Sequence, residues 1–328
     1  MDRRKVLGLG AAALTTMAVR AETAKPNGWP STDPAEIISL WPGTPPGGAG
    51  VALTLQAEEL SKDPARHMRL LRHVAEPQLW VCRPAKPDGS AMLVIAGGAY
   101  TCIVIDHEGF DTARRLNAAG ITAFVLSYRL PAEGWADGAN VPLQDVQRAM
   151  RLIRANAARY GIDPKRTGVV GFSAGGHMAA SLATRFDEPV YTPVDAADSE
   201  NARPAFAAMV YPVITMGEGT HKDSRDHLLG ADQSSARIAA YSCDKHVTAR
   251  TPPCYLTFGA DDALVEPWPN TMAMYKALAA AKIPVELHAF GTGPHGFGME
   301  SGNPIGEENA KLFLRWGAQG GWFKNVVV

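Results

Sequence analysis

The chain has 328 residues, 46% of them hydrophobic and 20% charged, with a formal charge of −1 at pH 7. That composition excludes a disordered or low-complexity chain and supplies enough apolar surface for one large α/β domain. A near-neutral balance with no basic run beyond the first few residues excludes an electrostatic nucleic-acid surface and favours a small neutral or weakly charged substrate.

Arg3-Arg4-Lys5 precedes an uncharged stretch from Val6 to Val19, and Val19-Arg20-Ala21 has small-x-small cleavage spacing. The stretch falls short of the roughly 20 apolar residues a membrane-spanning helix needs. Residues 1–21 are therefore expected to be a signal peptide of twin-arginine type, which predicts a periplasmic or secreted protein. Its removal takes away four basic groups (Arg3, Arg4, Lys5, Arg20) and one acid (Asp2), moving the formal charge from −1 to −4. No cysteine stands at the cleavage region, so no lipid or stable membrane anchor is expected. Residues 22–75 are expected to form an extended N-terminal arm. Its Pro- and Gly-rich part, from Glu22 to Gly50 around Trp41-Pro42-Gly43, should run along the surface.

Residues 76–328 read as one α/β domain. Short apolar runs at Leu79–Val81, Met92–Ala96, Ala123–Ser127, Thr167–Gly171, Ala205–Tyr211, Cys254–Phe258 and Val285–Ala289 predict strands. Helical periodicity marks Gly109–Ala119, Leu143–Tyr160, Gly175–Thr184, Asn270–Ala281 and Glu307–Gly317. The alternation predicts a mostly parallel central sheet with helices on both faces. In the second helix Leu143, Val146, Ala149, Met150 and Ile153 make the apolar stripe, and Arg148, Arg151 and Arg154 are expected on a solvated face. The polar region of about 216–250 predicts a small cap insertion over the carboxyl ends of the strands, where α/β proteins bind ligands. No two of its histidines stand at i, i+4, the one mixed pair at that spacing, Asp223 with His227, lacks an evident third ligand, and no metal or other cofactor is expected. Cys82, Cys102, Cys243 and Cys254 leave both disulfides and buried free thiols open.

Gly171-Phe172-Ser173-Ala174-Gly175 lies between an apolar strand and a helix, which is the setting of a nucleophile elbow. The turn is too tight for Cβ atoms two residues either side of the serine. A serine hydroxyl needs a base and a group to orient that base. Gly259-Ala260-Asp261-Asp262 follows one later strand, and Gly293-Pro294-His295-Gly296 follows the next. Ser, Asp, His is the α/β-hydrolase order. His295, on a loop after the last strand, is the expected base; His177 belongs to the helix descending from the elbow, and His288 lies within a strand. Asp262 is favoured over Asp261 because it precedes Val265 by three residues. The predicted catalytic set is Ser173, Asp262 and His295. For the oxyanion hole, the Ala174 amide supplies one donor and the Gly97-Gly98-Ala99 loop the other, with the choice among the three open. Tyr100 and Trp268 are expected pocket walls.

Leu40-Trp41-Pro42-Gly43, Ala96-Gly97-Gly98-Ala99-Tyr100, Asp106-His107-Glu108-Gly109, Phe124-Val125-Leu126-Ser127-Tyr128-Arg129-Leu130-Pro131 and Gly171-Phe172-Ser173-Ala174-Gly175-Gly176-His177 resemble the bacterial α/β-hydrolase esterases related to acetylxylan esterases and feruloyl-esterase-like enzymes. The resemblance spans nearly all of the mature chain and implies a serine carboxylesterase that deacetylates plant polysaccharide fragments. Relatives usually read Pro-Gly-Gly-Gly-Tyr where this chain has Ala96 and Ala99. Glu108 and Arg129 match recurring family positions, with structural pairing the expected role. The rival expectations are a prolyl-oligopeptidase-like peptidase, disfavoured by the lack of a propeller-sized N-terminal domain, and a catalytically silent hydrolase-fold binding protein.

Overall fold

The computed structural model describes residue 25 and residues 29–63, 65–299 and 302–326; the expected signal peptide, at 1–21, lies outside the described residues. The strands are β1 (Ile37–Ser39), β2 (Gln56–Glu59), β3 (Arg69–Arg72), β4 (Gln78–Cys82), β5 (Ala91–Ile95), β6 (Ile103–Val104), β7 (Thr122–Ser127), β8 (Thr167–Phe172), β9 (Ala207–Val210), β10 (Cys254–Gly259) and β11 (Val285–Phe290). The α-helices are α1 (Asp111–Ala118), α2 (Val141–Ala155), α3 (Ala157–Tyr160), α4 (Ser173–Arg185), α5 (Lys222–Leu229), α6 (Ser235–Tyr241), α7 (Ala273–Ala280) and α8 (Pro304–Gln319).

The central sheet has the order β1-β4-β7-β5-β8-β9-β10-β11. From β7 to β11 every pairing is parallel, and β4 and β1 close one side antiparallel. All residues of β5, β7, β8, β9 and β10 are buried. That is why these strands read as unbroken apolar runs rather than alternating ones: helices cover both faces. β8 stands mid-sheet, so the turn after Phe172 opens at the carboxyl edge, flanked by the loops that leave β5 and β9.

Part of the N-terminal segment is built into the sheet and core instead of running along the surface. Ile37–Ser39 pairs with Gln78–Trp80 at the sheet edge, and Ile37, Leu40 and Trp41 are buried. The Trp41 indole Nε1 donates to Asp145 Oδ1 at 2.9 Å. β2, β3 and β6 make a separate antiparallel sheet of three strands. Two to four residues carry too little alternation to stand out from their flanks, which hides these strands in the sequence.

The long helical stretch breaks at Asn156, and Gly161 ends it in the left-handed conformation at φ +64°. Its apolar stripe is buried as the periodicity requires. Arg148, however, is not on a solvated face. It is buried, its Nε donates to the Leu40 carbonyl at 2.8 Å, and its guanidinium pairs with Asp195 at 2.5 Å and Asp198 at 3.1 Å. The partners come from the N-terminal segment and from the loop after α4, so helical periodicity alone does not reveal them. Arg129 is fully buried against Asp145, with its Nη1 on the Pro46 carbonyl. Both charges lose their water and recover hydrogen bonds in its place.

Between β9 and β10 the chain leaves the carboxyl edge of the sheet and forms α5 and α6. All four cysteines are free thiols. Burial pushes Cys82, Cys243 and Cys254 up to about 12. No helix among the described residues is long and apolar enough to cross a membrane.

Candidate active site

The elbow after β8 is tight in the way its glycines imply. A Cβ on Gly171 would stand 2.1 Å from the Gly175 carbonyl oxygen, and one on Gly175 would stand 2.3 Å from that of Ile95. Ser173 itself has φ +52°, a left-handed backbone that costs a non-glycine residue about 1–3 kcal/mol. The Ser173 carbonyl accepts from the Val213 amide at 3.1 Å, tying the turn to the neighbouring strand end. Because α4 begins at Ser173, the amides of its first turn, Ala174 among them, have no intrahelical acceptor. Their partial positive charge favours an anion there.

His295 reaches this serine from the loop after β11. Its Nε2 lies 2.8 Å from Ser173 Oγ, and its Nδ1 lies 2.7 Å from Asp262 Oδ2. A carboxylate can only accept, so Nδ1 carries the proton and Nε2 is left as the acceptor for the serine hydroxyl. Asp262 is oriented in turn: its Oδ1 accepts from the amides of Leu264 at 3.0 Å and Val265 at 2.9 Å. Asp261 points elsewhere, accepting from the Gly293 amide at 2.6 Å and fastening the histidine loop. Ser173, Asp262 and His295 thus stand in one hydrogen-bonded line, the arrangement that lets an imidazole take a serine proton while its cationic form is stabilised.

The loop after β5 lies on the other side of the serine. Gly98, Ala99 and Tyr100 have φ of +127°, +56° and +60° in succession. Gly97 packs against the elbow so closely that a Cβ there would be 2.7 Å from the Phe172 carbonyl oxygen and 2.8 Å from Ser173 Cβ. Its amide is not free for an oxyanion, because it donates to Glu108 Oε2 at 2.6 Å. Among the described residues no hydrogen bond takes up the amides of Gly98 or Ala99, the other two candidates in the loop.

Tyr100 does not present a wall to solvent. Its ring is buried, and its hydroxyl donates to His177 Nδ1 at 2.7 Å while His177 Nε2 donates to the Tyr241 carbonyl at 2.8 Å. Burial lowers the His177 pKa to about 4, so the ring is neutral and these two partners fix its tautomer. Tyr100, His177 and Tyr241 line a small cavity with Pro142, Met178 and Arg185, and no member of the serine line borders it. Trp268 is 78% exposed, on the turn that precedes α7. His288 pairs with Glu286 within β11 at 2.7 Å.

Tyr211 is the residue that sequence reasoning left inside a strand. It stands just past β9 with φ +37°, and its ring packs 4.7 Å from that of His295 and 4.7 Å from that of Phe297. Its hydroxyl donates to Glu108 Oε1 at 2.9 Å and accepts from the Gly298 amide at 3.0 Å. Burial first, and Glu108 after it, hold the phenol well above its ordinary pKa, so it remains a donor. The available signal was its position at the carboxyl end of a central strand. His221, in the cap insertion, is half-buried, and its Nδ1 lies 2.9 Å from Ser224 Oγ. Burial lowers its pKa, with the nearby His295 adding to the effect. Among the described residues no group of three or more His, Cys, Asp or Glu side chains is placed to hold a metal.

Comparison with known proteins identifies the family. The BD-FAE family model matches residues 81–278. Endo-1,4-beta-xylanase B of Butyrivibrio fibrisolvens is 40% identical over 205 residues, covering 62% of this chain and 32% of that protein. An acetylxylan esterase of Xylanibacter ruminicola is 32% identical over 253 residues, covering 76% of this chain and 48% of that protein. The chain therefore spans about a third to a half of the length of these relatives. Among solved structures, an acetyl ester-xyloside bifunctional hydrolase from Caldicellulosiruptor lactoaceticus superposes with TM-score 0.72 at 30% identity, covering 90% of this chain and 100% of that one. The carboxylesterase Cest-2923 from Lactobacillus plantarum, at 21% identity and TM-score 0.61, shares the fold.

Proposed function

The chain belongs to the BD-FAE family of α/β-hydrolase esterases, and from that membership we propose that it is a serine carboxylesterase that removes acetyl groups from xylan-type fragments. The observation that carries the reading is the hydrogen-bonded line from Asp262 through His295 to Ser173, with Ser173 held on a left-handed elbow. Ser173 Oγ attacks the ester carbonyl carbon as His295 Nε2 takes its proton. The carbonyl oxygen becomes an oxyanion facing the Ala174 amide and the amide of Gly98 or Ala99. Collapse returns the proton from His295 to the departing alcohol oxygen and leaves an acetyl group on Ser173. Water, deprotonated by the same imidazole, then attacks that acyl-enzyme and releases acetate. Asp262 holds the Nδ1–H tautomer and stabilises the imidazolium in both halves. All these steps use the chain's own side chains, its backbone amides and water.

The substrate class is supported by the names of the acetylxylan esterase and acetyl ester-xyloside hydrolase to which the chain is similar. None of the proteins named above is called a peptidase or a binding protein, and no specific observation favours those readings. We also propose export through the twin-arginine signature at Arg3-Arg4, which suits an enzyme whose polymeric substrate stays outside the cytoplasm. The test is turnover of p-nitrophenyl acetate, acetylated xylo-oligosaccharides and methyl ferulate by the purified protein and by Ser173→Ala. The acetyl esters should be hydrolysed, and the substitution should lower kcat by about 10⁴-fold or more. Preference for methyl ferulate would overturn the acetyl assignment.

A further inference from the structure

Resting on the esterase reading above, we propose that Glu108 is a positioning residue that locks the oxyanion loop and the loop of the catalytic histidine into one frame. Its carboxylate is 4% exposed, and its two oxygens serve two different loops. Oε2 accepts from the Gly97 amide at 2.6 Å, and Oε1 accepts from the Tyr211 hydroxyl at 2.9 Å.

On the first side, Gly97 is where the chain leaves β5, and the next three residues all have positive φ. At Ala99 and Tyr100 that backbone is unfavourable, and the loop is held by its own hydrogen bonds, from the Thr101 and Cys102 amides to the Gly98 carbonyl and from the Val104 amide to the Gly97 carbonyl, together with contacts at its two ends. Glu108 fixes the start at Gly97, and the Tyr100 hydroxyl on His177 fixes the end. By occupying the Gly97 amide, Glu108 also leaves the following amides to face the developing negative charge. On the second side, the Tyr211 ring packs against His295 with centroids 4.7 Å apart, and its hydroxyl accepts from the amide of Gly298, in the same loop as His295. One carboxylate therefore sets the relative placement of donor loop and base, with Ser173 between them.

The chemistry calls for a carboxylate rather than its amide. Both partners donate, and the Tyr211 oxygen is already taken by the Gly298 amide. A glutamine brings one acceptor oxygen and an NH2 group that must face one of those donors. Glu108→Gln keeps the volume and breaks the frame.

The experiment measures ester hydrolysis and inhibition by a trifluoromethyl ketone, which forms a tetrahedral serine adduct, in wild type, Glu108→Gln, Tyr211→Phe and the double variant. Glu108→Gln is expected to lower kcat by about 10- to 100-fold with KM within about twofold, and to raise the inhibitor Ki by a similar factor. Tyr211→Phe should move both quantities the same way, and the double variant should be no worse than about the worse single one. A kcat and Ki within about twofold of wild type in Glu108→Gln, or losses that multiply in the double variant, would overturn the proposal. A residue that serves folding alone would lower thermal stability and leave the kcat of folded enzyme intact. Should Glu108→Gln not fold, Tyr211→Phe decides alone: reduced kcat at unchanged KM supports the frame, and wild-type kcat refutes it. A wild-type protein with no ester turnover would instead sink the esterase reading, a result distinct from turnover that survives Glu108→Gln.

Discussion

Asp262 Oδ2 and His295 Nδ1 stand 2.7 Å apart across 33 residues of sequence, while the neighbouring Asp261 turns away to the Gly293 amide. Adjacent carboxylates on one loop thus have separate tasks. Asp262→Asn should lower kcat/KM by about 10⁴-fold with the fold intact, because an amide leaves the imidazole in the wrong tautomer. Asp261→Asn should cost far less, since a side-chain carbonyl still accepts from Gly293. Steady-state rates on one acetyl ester compare the two directly; equal losses would mean that the base is oriented by something else.

His177 gives the fold a pH dependence of its own. Its folded pKa, about 4, lies below the ordinary value of 6.5 because burial disfavours the cation. As pH falls through 6.5 the unfolded chain takes up this proton and the folded one does not, so stability falls from there down to about 4. It is fully present above 6.5. By pH 4 the loss reaches about 3 kcal/mol. Urea midpoints between pH 7 and pH 4 should show it, and His177→Gln, though less stable at pH 7, should lack this component of the slope.

Gly97 must remain without a side chain. A Cβ there would meet the Phe172 carbonyl oxygen at 2.7 Å and Ser173 Cβ at 2.8 Å, and these atoms belong to the elbow rather than to a flexible tip. Gly97→Ala should displace the nucleophile or the donor loop and reduce kcat by about 10²-fold. Wild-type kcat in a folded Gly97→Ala protein would show that the loop can move away freely.

What the sequence carried best was whatever depends on short spacing. Ser173, Asp262 and His295 each sit on a turn or loop that follows a strand of the main sheet, among small residues, so strand and loop patterns single them out before any contact is known. The seven runs assigned to strands are all strands of the central sheet. What stayed hidden depends on distant partners. Nothing around Gly97 announces that a carboxylate eleven residues later will occupy its amide. Arg148 has the helical phase of a solvated residue and is buried because Asp195 and Asp198 come to it. Tyr211 looks like the end of an apolar run, and only the meeting of its hydroxyl with Glu108 sets it apart. Proline and glycine around Trp41 suggest a loose arm, yet its indole is bonded to Asp145.

In the proposed mechanism Ser173 carries the acyl group, and stoichiometric labelling with a fluorophosphonate, read by intact mass and peptide mapping alongside residual esterase activity, tests this directly. One adduct per chain is expected, on Ser173, with activity falling in proportion to labelling and no labelling of Ser173→Ala. Ester turnover that persists when Ser173 is fully modified, or an adduct on another residue that tracks the loss of activity, would contradict it.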